Sequence, residues 1–330
     1  MIELKSDKLV IHFPEVHEEA ALGIEFQRTL RIPDDEREYP LPAGLGPFPL
    51  RHVDDFAGSV PSSWIEHGGV MLPMYQAEAL WINFRGSYPF AVKVAAGKVN
   101  AVTGETWRAG LNRDPQDYLT VPSQPWLDGY CVEKGVIRQF VAMPLGKGYS
   151  AEEQITGRAE FGGLQLTAYP MKREVYERSR RRVSGAFAMP TGALLMCRSP
   201  DMGLAPGGRM RQEIYEDHQA LSDWDQRHAA RCFVHLANAI QWRAITGEAP
   251  PTEPVTAAAY RRAGIPWFDY YAADLEPLGG SGILDKLKSV VQLGNTKHDA
   301  AAPKNDPAVI DRVVHLRRGL ARSAVREGAF

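Results

Sequence analysis

The amino-acid sequence predicts an α+β protein with a β-rich mixed core, short helices and a C-terminal amphipathic helix. Three observations support this fold class. In the first half, apolar and polar residues alternate in short runs such as 22–32, which is the period of a half-buried strand. Glycine and proline turns separate these runs. In the second half, apolar residues recur at helical spacing after capping residues.

The first half is predicted to be mostly sheet. Pro33 ends the second strand because proline cannot donate to a strand ladder, and Gly97 supplies the turn of a hairpin. Ser150 and Glu153 have capping-box spacing, which predicts one helical turn after them. Strands are predicted at 9–13, 22–32, 80–84, 90–94, 98–102, 118–121, 136–143 and 164–169.

The second half is predicted to contain more helix. Residues 225–246 have apolar side chains at helical spacing, although Cys232, Val234 and Leu236 equally suit a strand. Thr256 is the expected cap of a further short helix, because its hydroxyl can accept a hydrogen bond from the first helical turn.

The end of the chain is predicted to be a separate helix. Asp306 and Pro307 form a strong helix start, because aspartate caps and proline fits the first helical position. Apolar residues and arginines then follow in an amphipathic pattern. The predicted organisation is a β-rich core at 1–294, with a division into 1–182 and 183–294 left open, a linker at 295–306 and the helix at 307–330.

Composition describes an ordinary folded protein. With 330 residues, 44% of them hydrophobic and 24% charged, the chain is neither collagen-like nor disordered. The net charge of −2 provides no overall field for polyanions, which disfavours nucleic acid as a partner. The longest uncharged stretch, 183–197, is about 15 residues, and a spanning helix needs roughly 20. We therefore expect no transmembrane segment and interpret this stretch as buried core.

The expected localisation is cytoplasmic. Cys131, Cys197 and Cys232 are odd in number, widely spaced and form no C-x-x-C pair, which argues against a disulfide scaffold or a structural zinc site. The first residues are charged before the apolar core of a signal peptide could form.

The catalytic candidates lie in the central block, residues 124–170. No phosphate-binding loop, dinucleotide fingerprint, nucleophile elbow or zinc-protease motif occurs. Asp128, Cys131 and Arg138 are the candidate catalytic residues of an enzyme such as a hydrolase. Core packing is the favoured interpretation of Cys131, and a structural ion pair with Asp128 or Glu133 that of Arg138.

An acidic cluster offers candidate metal ligands. Several carboxylates and one imidazole lie within residues 213–225, and oxygen-rich loops of this kind bind calcium or magnesium. A solvated acidic loop is the alternative interpretation. The candidate ligands are Glu213, Asp217, His218, Asp223 and Asp225.

Two basic segments offer interaction surfaces. The C-terminal helix, with its linker, apolar stripe and arginines, suits docking onto a protein partner or self-association. Residues 172–182 hold six cations, which keeps a nucleic-acid or membrane-surface contact open as an alternative. A solvated helix face is the simpler interpretation of that run.

Much of the chain resembles an uncharacterised family of microbial, mainly actinobacterial, proteins. The resemblance is carried by LPMYQAEALWINF, PFAVKVAAGKVNAVTGE, QPWLDGYCVEKGVIRQFVAMPLGKGYSAEEQITG, APGGRMRQEIY and AGIPWFDYY. Some members are labelled integral membrane protein, a label at odds with the expected lack of a spanning segment. The resemblance implies one cooperative unit across both halves and no particular activity, cofactor or catalytic residue.

The leading functional hypothesis is a non-catalytic cytoplasmic binding or assembly protein. The missing catalytic motifs, the scattered tryptophans and the tethered C-terminal helix motivate it. The first alternative is an enzyme whose site combines the central block with the 213–225 cluster. The second is a basic-patch binder of nucleic acid or membrane surfaces. The sequence identifies no cofactor for any of these functions.

Overall fold

The computed structural model describes residues 1–35, 37–180, 201–272, 274–299 and 303–317. Within these ranges strands predominate and the helices are short, so the predicted β-rich α+β fold class is confirmed. The strands are β1 (Ile2–Lys5), β2 (Lys8–His12), β3 (Ala21–Thr29), β4 (Glu38–Tyr39), β5 (Gly44–Pro47), β6 (Arg51–His52), β7 (Val70–Met74), β8 (Ala79–Arg85), β9 (Phe90–Ala96), β10 (Val99–Asn100), β11 (Leu119–Val121), β12 (Trp126–Leu127), β13 (Gly129–Glu133), β14 (Val136–Pro144), β15 (Leu164–Pro170), β16 (Met202–Arg211), β17 (Ala230–Asn238), β18 (Trp267–Tyr271) and β19 (Val313–Arg317). The helices are α1 (Ser62–His67), α2 (Ala151–Thr156), α3 (Arg173–Arg180), α4 (Ala239–Thr246), α5 (Ala257–Arg262), α6 (Gly282–Asp285) and α7 (Val290–Lys297).

The described strands form two large sheets and one small sheet. The first sheet has ten strands in the order β1-β2-β3-β8-β14-β16-β4, with β5 beside β3, β12 beside β8 and β13 beside β14. The second has seven, in the order β10-β9-β15-β17-β7-β6, with β11 beside β9. The small sheet pairs β18 with β19 in parallel. Most neighbours in the large sheets are antiparallel, whereas β17 and β7 are parallel.

One hydrophobic core joins the two large sheets. On β3, Leu22, Ile24 and Phe26 are buried in it. Gln27 donates a side-chain hydrogen bond to Glu25 on the opposite face, as the alternation of side chains along a strand requires. The same core cluster contains residues of β15 and β17 from the second sheet, so both halves of the chain contribute to it.

Two helix starts follow the predicted capping pattern. At α2, the Ser150 hydroxyl accepts the N–H of Glu153 at 3.2 Å, and the Glu153 carboxylate accepts the N–H of Ser150 at 3.1 Å. Gly157 ends this helix in the left-handed conformation. At α5, the Thr256 hydroxyl accepts the N–H of Ala259 at 3.2 Å. Both predictions are confirmed, because capping depends on neighbouring residues alone.

The helix predicted over 225–246 is wrong for most of that range, and the alternative of a strand containing Cys232, Val234 and Leu236 is confirmed. Strand β17 occupies its middle and α4 only its last part. The apolar side chains of Cys232, Val234 and Leu236 lie in the core, while β17 hydrogen-bonds to β15 and β7 on its two edges. Burial in a sheet thus outweighs the helical spacing of the same residues. The Asn238 side chain then caps α4.

The predicted C-terminal helix is wrong over its described part. Residues 303–312 have no regular secondary structure, and the following five residues form β19. The Asp306 carboxylate does not cap a helix after it, because it accepts the N–H of Ala257 at 2.5 Å. Instead, the β-branched Val313 and Val314 pair with β18. Residues 318–330 lie outside the described part of the chain.

The predicted linker at 295–306 is also replaced in part by ordered structure. Helix α7 continues to Lys297. Further on, Asn305 exchanges two hydrogen bonds of 2.9 Å with the backbone of Asp34. These contacts attach the C-terminal segment to the chain's own core.

The predicted core stretch at 183–197 lies outside the described residues, as does the end of the basic run. The start of that run forms α3, where Arg173 pairs with Glu177 at 2.8 Å. None of the helices in the described ranges has both the length and the apolar character that a membrane span requires.

Candidate functional site

Asp128 is a buried acid held by a neutral amide. Its side chain and backbone are 2% exposed, just before β13. Gln212 Nε2 donates to Asp128 Oδ2 at 2.7 Å, and the Asp128 N–H donates to Gln212 Oε1 at 3.0 Å. Burial raises the pKa of Asp128 to about 7, and the bond from Gln212 opposes this shift. A carboxyl held in this way is suited to the protonated, structural state.

Cys131 belongs to the hydrophobic core. Its residue is 2% exposed on β13, and its thiol is free. Burial raises the pKa of Cys131 to about 12, so almost no thiolate exists near pH 7. This environment agrees with the core interpretation of the residue.

Arg138 forms a buried ion pair, but with a different partner from those predicted. Its Nη1 lies 3.6 Å from Asp34 Oδ1 and donates to the carbonyl of Gly207 at 3.3 Å. Asp34 comes from the loop after β3, far from Arg138 in sequence, and no local pattern favours it over Asp128 or Glu133 as the partner. The three catalytic candidates therefore contact an amide, the apolar core and a carboxylate respectively, rather than one another.

The two buried carboxylates of the acidic cluster, those of Asp217 and Asp225, already have hydrogen-bond partners within the protein. Asp217 Oδ2 accepts the Tyr118 hydroxyl at 2.6 Å and the Trp224 indole N–H at 2.8 Å. Asp225 Oδ2 lies 2.8 Å from Nδ1 of His228, and this bond helps to lower the pKa of Asp225 against the effect of burial. These contacts fix the loop before β17.

The predicted metal site is not assembled among the described residues. The Asp223 carboxylate accepts the N–H of Ala220 at 3.1 Å in a short turn, and His218 is exposed. Nowhere in the described ranges do three or more His, Cys, Asp or Glu residues come together in a group that could hold a metal ion. The candidates placed apart in this way are Glu213, Asp217, His218, Asp223 and Asp225.

Lys93 is a buried cation that sequence reasoning missed. It is 1% exposed on β9. Its ammonium donates to Asp117 Oδ2 at 2.6 Å and to the carbonyls of Arg108 and Gly110 at 2.9 and 2.7 Å. All three protons of the ammonium are used in this way. A cavity of about 170 Å³ adjoins it. Because its protons are all hydrogen-bonded, the Lys93 ammonium is a structural anchor rather than a nucleophile.

The outer face of the second sheet carries aromatic and cationic side chains. On β17, Arg231, Phe233 and His235 point away from the core, because the residues between them are buried in it. Gln165 of β15 pairs with Phe233 in register and therefore lies on the same face. Lys93 of β9, Lys98 in the turn after β9 and the indole of Trp107 extend this face.

Two glycines allow neighbouring loops to close over β17. Gly69 has a φ of 88°, and a Cβ there would lie 2.2 Å from a backbone carbonyl of β17. Gly163 has a φ of 56°, and a Cβ there would lie 2.5 Å from the next carbonyl. Any larger residue would push these loops outward. Their approach places His67 and Phe161 over the outer face.

These side chains form a closed circuit of contacts. The Lys98 ammonium lies 3.8 Å from the ring centroid of Phe161, and the His67 ring lies 5.5 Å from Phe161 and 4.7 Å from Phe233. The Arg231 guanidinium is 4.7 Å from the Phe233 centroid and 5.5 Å from the centroid of the Trp107 ring. The backbone N–H of Trp107 donates to the backbone carbonyl of Lys98 at 2.8 Å. We call this circuit the ring-and-cation surface, and its members are His67, Lys98, Trp107, Phe161, Arg231 and Phe233.

The two cations of the ring-and-cation surface have no carboxylate partner among the described residues. Lys98 contacts the Phe161 ring. Arg231 donates one hydrogen bond, from Nη2 to Gln165 Oε1 at 2.5 Å. Gln165 is fully buried beneath it and donates in turn to the carbonyl of Gly97 at 2.7 Å. Arg231 itself is exposed to solvent.

His235 supports this surface as a neutral ring. Burial lowers the pKa of His235 to about 4. Its Nε2–H donates to the carbonyl of Gly68 at 2.9 Å, and the ring stacks on Trp64 at 4.7 Å. The imidazole therefore fixes the loop after α1, and as a neutral ring it does not act as an acid at neutral pH.

The sequence contained a signal for this surface. Arg231, Phe233 and His235 alternate with apolar residues, which is the pattern of a strand with one solvated face. The helical interpretation of 225–246 placed them on different sides of a helix and hid the pattern. The contacts with His67 and Phe161 depend on loops distant in sequence and had no local signal.

Comparison with known proteins adds no further assignment: the chain matches no protein-family model, no curated protein sequence and no solved structure.

Proposed function

We propose that the protein is a non-catalytic binding protein of the cytoplasm, and that a protein partner docks on the ring-and-cation surface. One observation carries the proposal. Lys98 and Arg231 stack on aromatic rings and have no carboxylate partner within the described ranges. Aromatic residues and arginine are the types that protein interfaces enrich, and they supply most binding hot spots.

The other arginines of the two sheets differ from Arg231 in this respect. Arg209 lies within ion-pair distance of three carboxylates, at 2.9 to 3.9 Å. Arg211 binds Asp269 through two nitrogens. An arginine that stacks on rings and keeps solvent access has guanidinium edges available for a partner's acceptors.

The environments of Asp128, Cys131 and Arg138 support binding over catalysis. An acid or thiol acts in a reaction only when substrate and a second group can reach it. Asp128 is sealed by Gln212, and Cys131 is packed in the core. The buried free thiols of Cys131 and Cys232 also agree with a reducing compartment.

Affinity capture with matched variants tests the proposal. The protein is immobilised as wild type, as Lys98→Glu with Arg231→Glu, and as Lys134→Glu with Arg227→Glu. Lys134 and Arg227 are also exposed, lie outside the surface, and form no ion pair with a described residue. Extract of the host is passed over each, and retained chains are identified by mass.

The expected result is a discrete chain that the wild type and the Lys134/Arg227 control retain in equal amount and the Lys98/Arg231 variant loses. Circular dichroism and urea unfolding show whether all three proteins are folded. Equal retention by all three would overturn the proposed docking surface. A bound small molecule that is chemically converted during the experiment would favour the enzyme alternative.

A further inference from the structure

We infer that the ring-and-cation surface takes an acidic peptide segment in which carboxylates flank an aromatic or large apolar side chain. The inference rests on the proposed function and specifies the chemistry of the partner. Three observations support it. They are the order of cations and rings along the surface, the lack of a described carboxylate partner for either cation, and the contacts of the cations with the ring faces.

The charges and rings follow one another in a fixed order. From Lys98 the circuit passes to Phe161, His67, Phe233 and then Arg231. Along this side of the circuit three rings lie between the two positive groups, and along the other side Trp107 lies between them. A bound segment matches this order when an apolar side chain meets the rings and a carboxylate lies on each side of it.

Both cations can donate hydrogen bonds to carboxylates of a partner. Arg231 uses Nη2 for Gln165, so Nε and Nη1 have no hydrogen-bond partner among the described residues. A guanidinium stacked on a ring is weakly hydrated, and its planar edge matches the two oxygens of a carboxylate. Lys98 is half-buried against Phe161, so its ammonium has already lost part of its water.

The same geometry disfavours a nucleic acid. Single strands bind mainly by stacking bases on open aromatic faces. Here Lys98 covers a face of Phe161, and Arg231 lies against both Phe233 and Trp107. Two cations also neutralise only two phosphates, and the chain as a whole carries a net charge of −2. The carboxylates of a peptide contact the cations directly, and its apolar side chain needs contact only with the partly exposed rings of Phe161 and Phe233, not a free face for stacking.

Fluorescence anisotropy with defined peptides tests the inference. The probe is a fluorescein-labelled synthetic peptide with two Glu-Phe-Glu blocks joined by glycine and serine. Three matched peptides carry Gln-Phe-Gln, Glu-Ala-Glu or Lys-Phe-Lys blocks in the same frame, and an oligothymidine of similar length represents nucleic acid. Each is titrated with the full-length wild type and with the two double variants used for affinity capture.

We expect saturable binding of the Glu-Phe-Glu peptide, weakened about tenfold or more by replacing either its glutamates or its phenylalanines. The Lys98→Glu/Arg231→Glu variant should lose at least about tenfold in affinity, while the Lys134→Glu/Arg227→Glu control keeps it. A Lys98→Arg variant should retain binding. Affinity should also fall as salt is raised, since exposed charges are screened.

Several outcomes would overturn the inference. These are tight binding of the Gln-Phe-Gln peptide, unchanged binding by the Lys98/Arg231 variant, or preference for the oligothymidine. Absence of binding by every acidic peptide would overturn it as well. In that last case, a chain captured through the same surface would leave the proposed function standing and assign the partner a different chemistry.

Discussion

Arg28 and Glu78 form a buried ion pair where β3 ends and β8 begins, with Nε and Nη2 of Arg28 both 2.6 Å from Glu78 Oε1. The two residues are 4% and 1% exposed. The second Glu78 oxygen accepts the N–H of Tyr75 at 3.0 Å, and the remaining Arg28 donors bind Thr252. Both charged groups therefore have hydrogen-bond partners beyond each other. Because Arg28 and Glu78 are 50 residues apart in sequence, their pairing fixes the end of β3 against the start of β8.

Removing one member of this pair should be strongly destabilising. In Arg28→Met, Glu78 keeps only its bond from Tyr75 and loses the cation that opposes its desolvation. Burial already raises the pKa of Glu78 to about 7. We expect Arg28→Met to lower the free energy of unfolding at pH 8 by about 3 to 5 kcal/mol. Urea unfolding followed by tryptophan fluorescence measures the change.

The double variant Arg28→Met/Glu78→Gln distinguishes pairing from simple packing. If the cost comes from an uncompensated charge, the double variant should be more stable than Arg28→Met alone, because its glutamine needs no counter-ion. Additive losses from the two single changes would show that the residues act independently and would contradict the ion-pair account.

Asp128 should make stability depend on pH in a defined direction. Its pKa is about 7 in the folded protein, against an ordinary value of 3.8. Between these values the folded protein holds a proton that the unfolded chain releases, so stability falls as pH rises from about 4 to 7. Asp128→Asn keeps the acceptor for Gln212 without the acid. From pH 5 to pH 8, the wild type should lose about 2 to 3 kcal/mol relative to this variant.

The comparison is made by urea unfolding at pH 5, 6, 7 and 8. Glu216→Gln is the control, because it removes one carboxylate from an exposed position instead of a buried one. If Asp128→Asn lost stability relative to the wild type as pH rose, Asp128 would be held as a carboxylate by a cation. The residue would then regain interest as a catalytic base.

Local signals explain which parts of this fold were predictable. The capping box of Ser150 and Glu153 and the hairpin turn at Gly97 depend on a few adjacent residues, and both are present. The prediction of a C-terminal helix was wrong because contacts distant in sequence decide the structure of that segment. Asp306 and Pro307 are good local helix starters, but the Asp306 carboxylate binds Ala257, which is distant in sequence. Tertiary contacts override local preference where the segment is short.

Glycines are ambiguous local signals. Adjacent glycines are typical of turns, but Gly207 and Gly208 both lie inside strand β16. A Cβ at Gly208 would lie 2.2 Å from the carbonyl of Pro33, so the glycine permits close packing rather than a turn. Arg138 illustrates the same limit for sites: its burial with an acid was predictable, but its partner Asp34 was not.

The buried cysteines should be unreactive in the folded protein. Burial raises the pKa of both Cys131 and Cys232 to about 12. In a Cys197→Ser variant these two are the remaining thiols. We expect no fast reaction with a disulfide reagent at pH 7.5 and two reactive thiols after denaturation, because the thiolate is the attacking species. Rapid labelling of Cys131 in the native variant, located by peptide mass, would favour the enzyme alternative.

The C-terminal segment should be held to its own core by Asn305. This side chain makes two hydrogen bonds with the backbone of Asp34, and β19 follows eight residues later beside β18.

Losing these two hydrogen bonds costs about 1 to 3 kcal/mol. Asn305→Ala should therefore increase amide exchange in β18 about tenfold or more while leaving the unfolding midpoint of the main core nearly unchanged. Hydrogen exchange with mass detection measures both, with Arg312→Ala as the control because Arg312 is exposed. Equal exchange in β18 for wild type and Asn305→Ala would mean that the segment is not anchored there. A role in docking a partner would then return to the C-terminal residues.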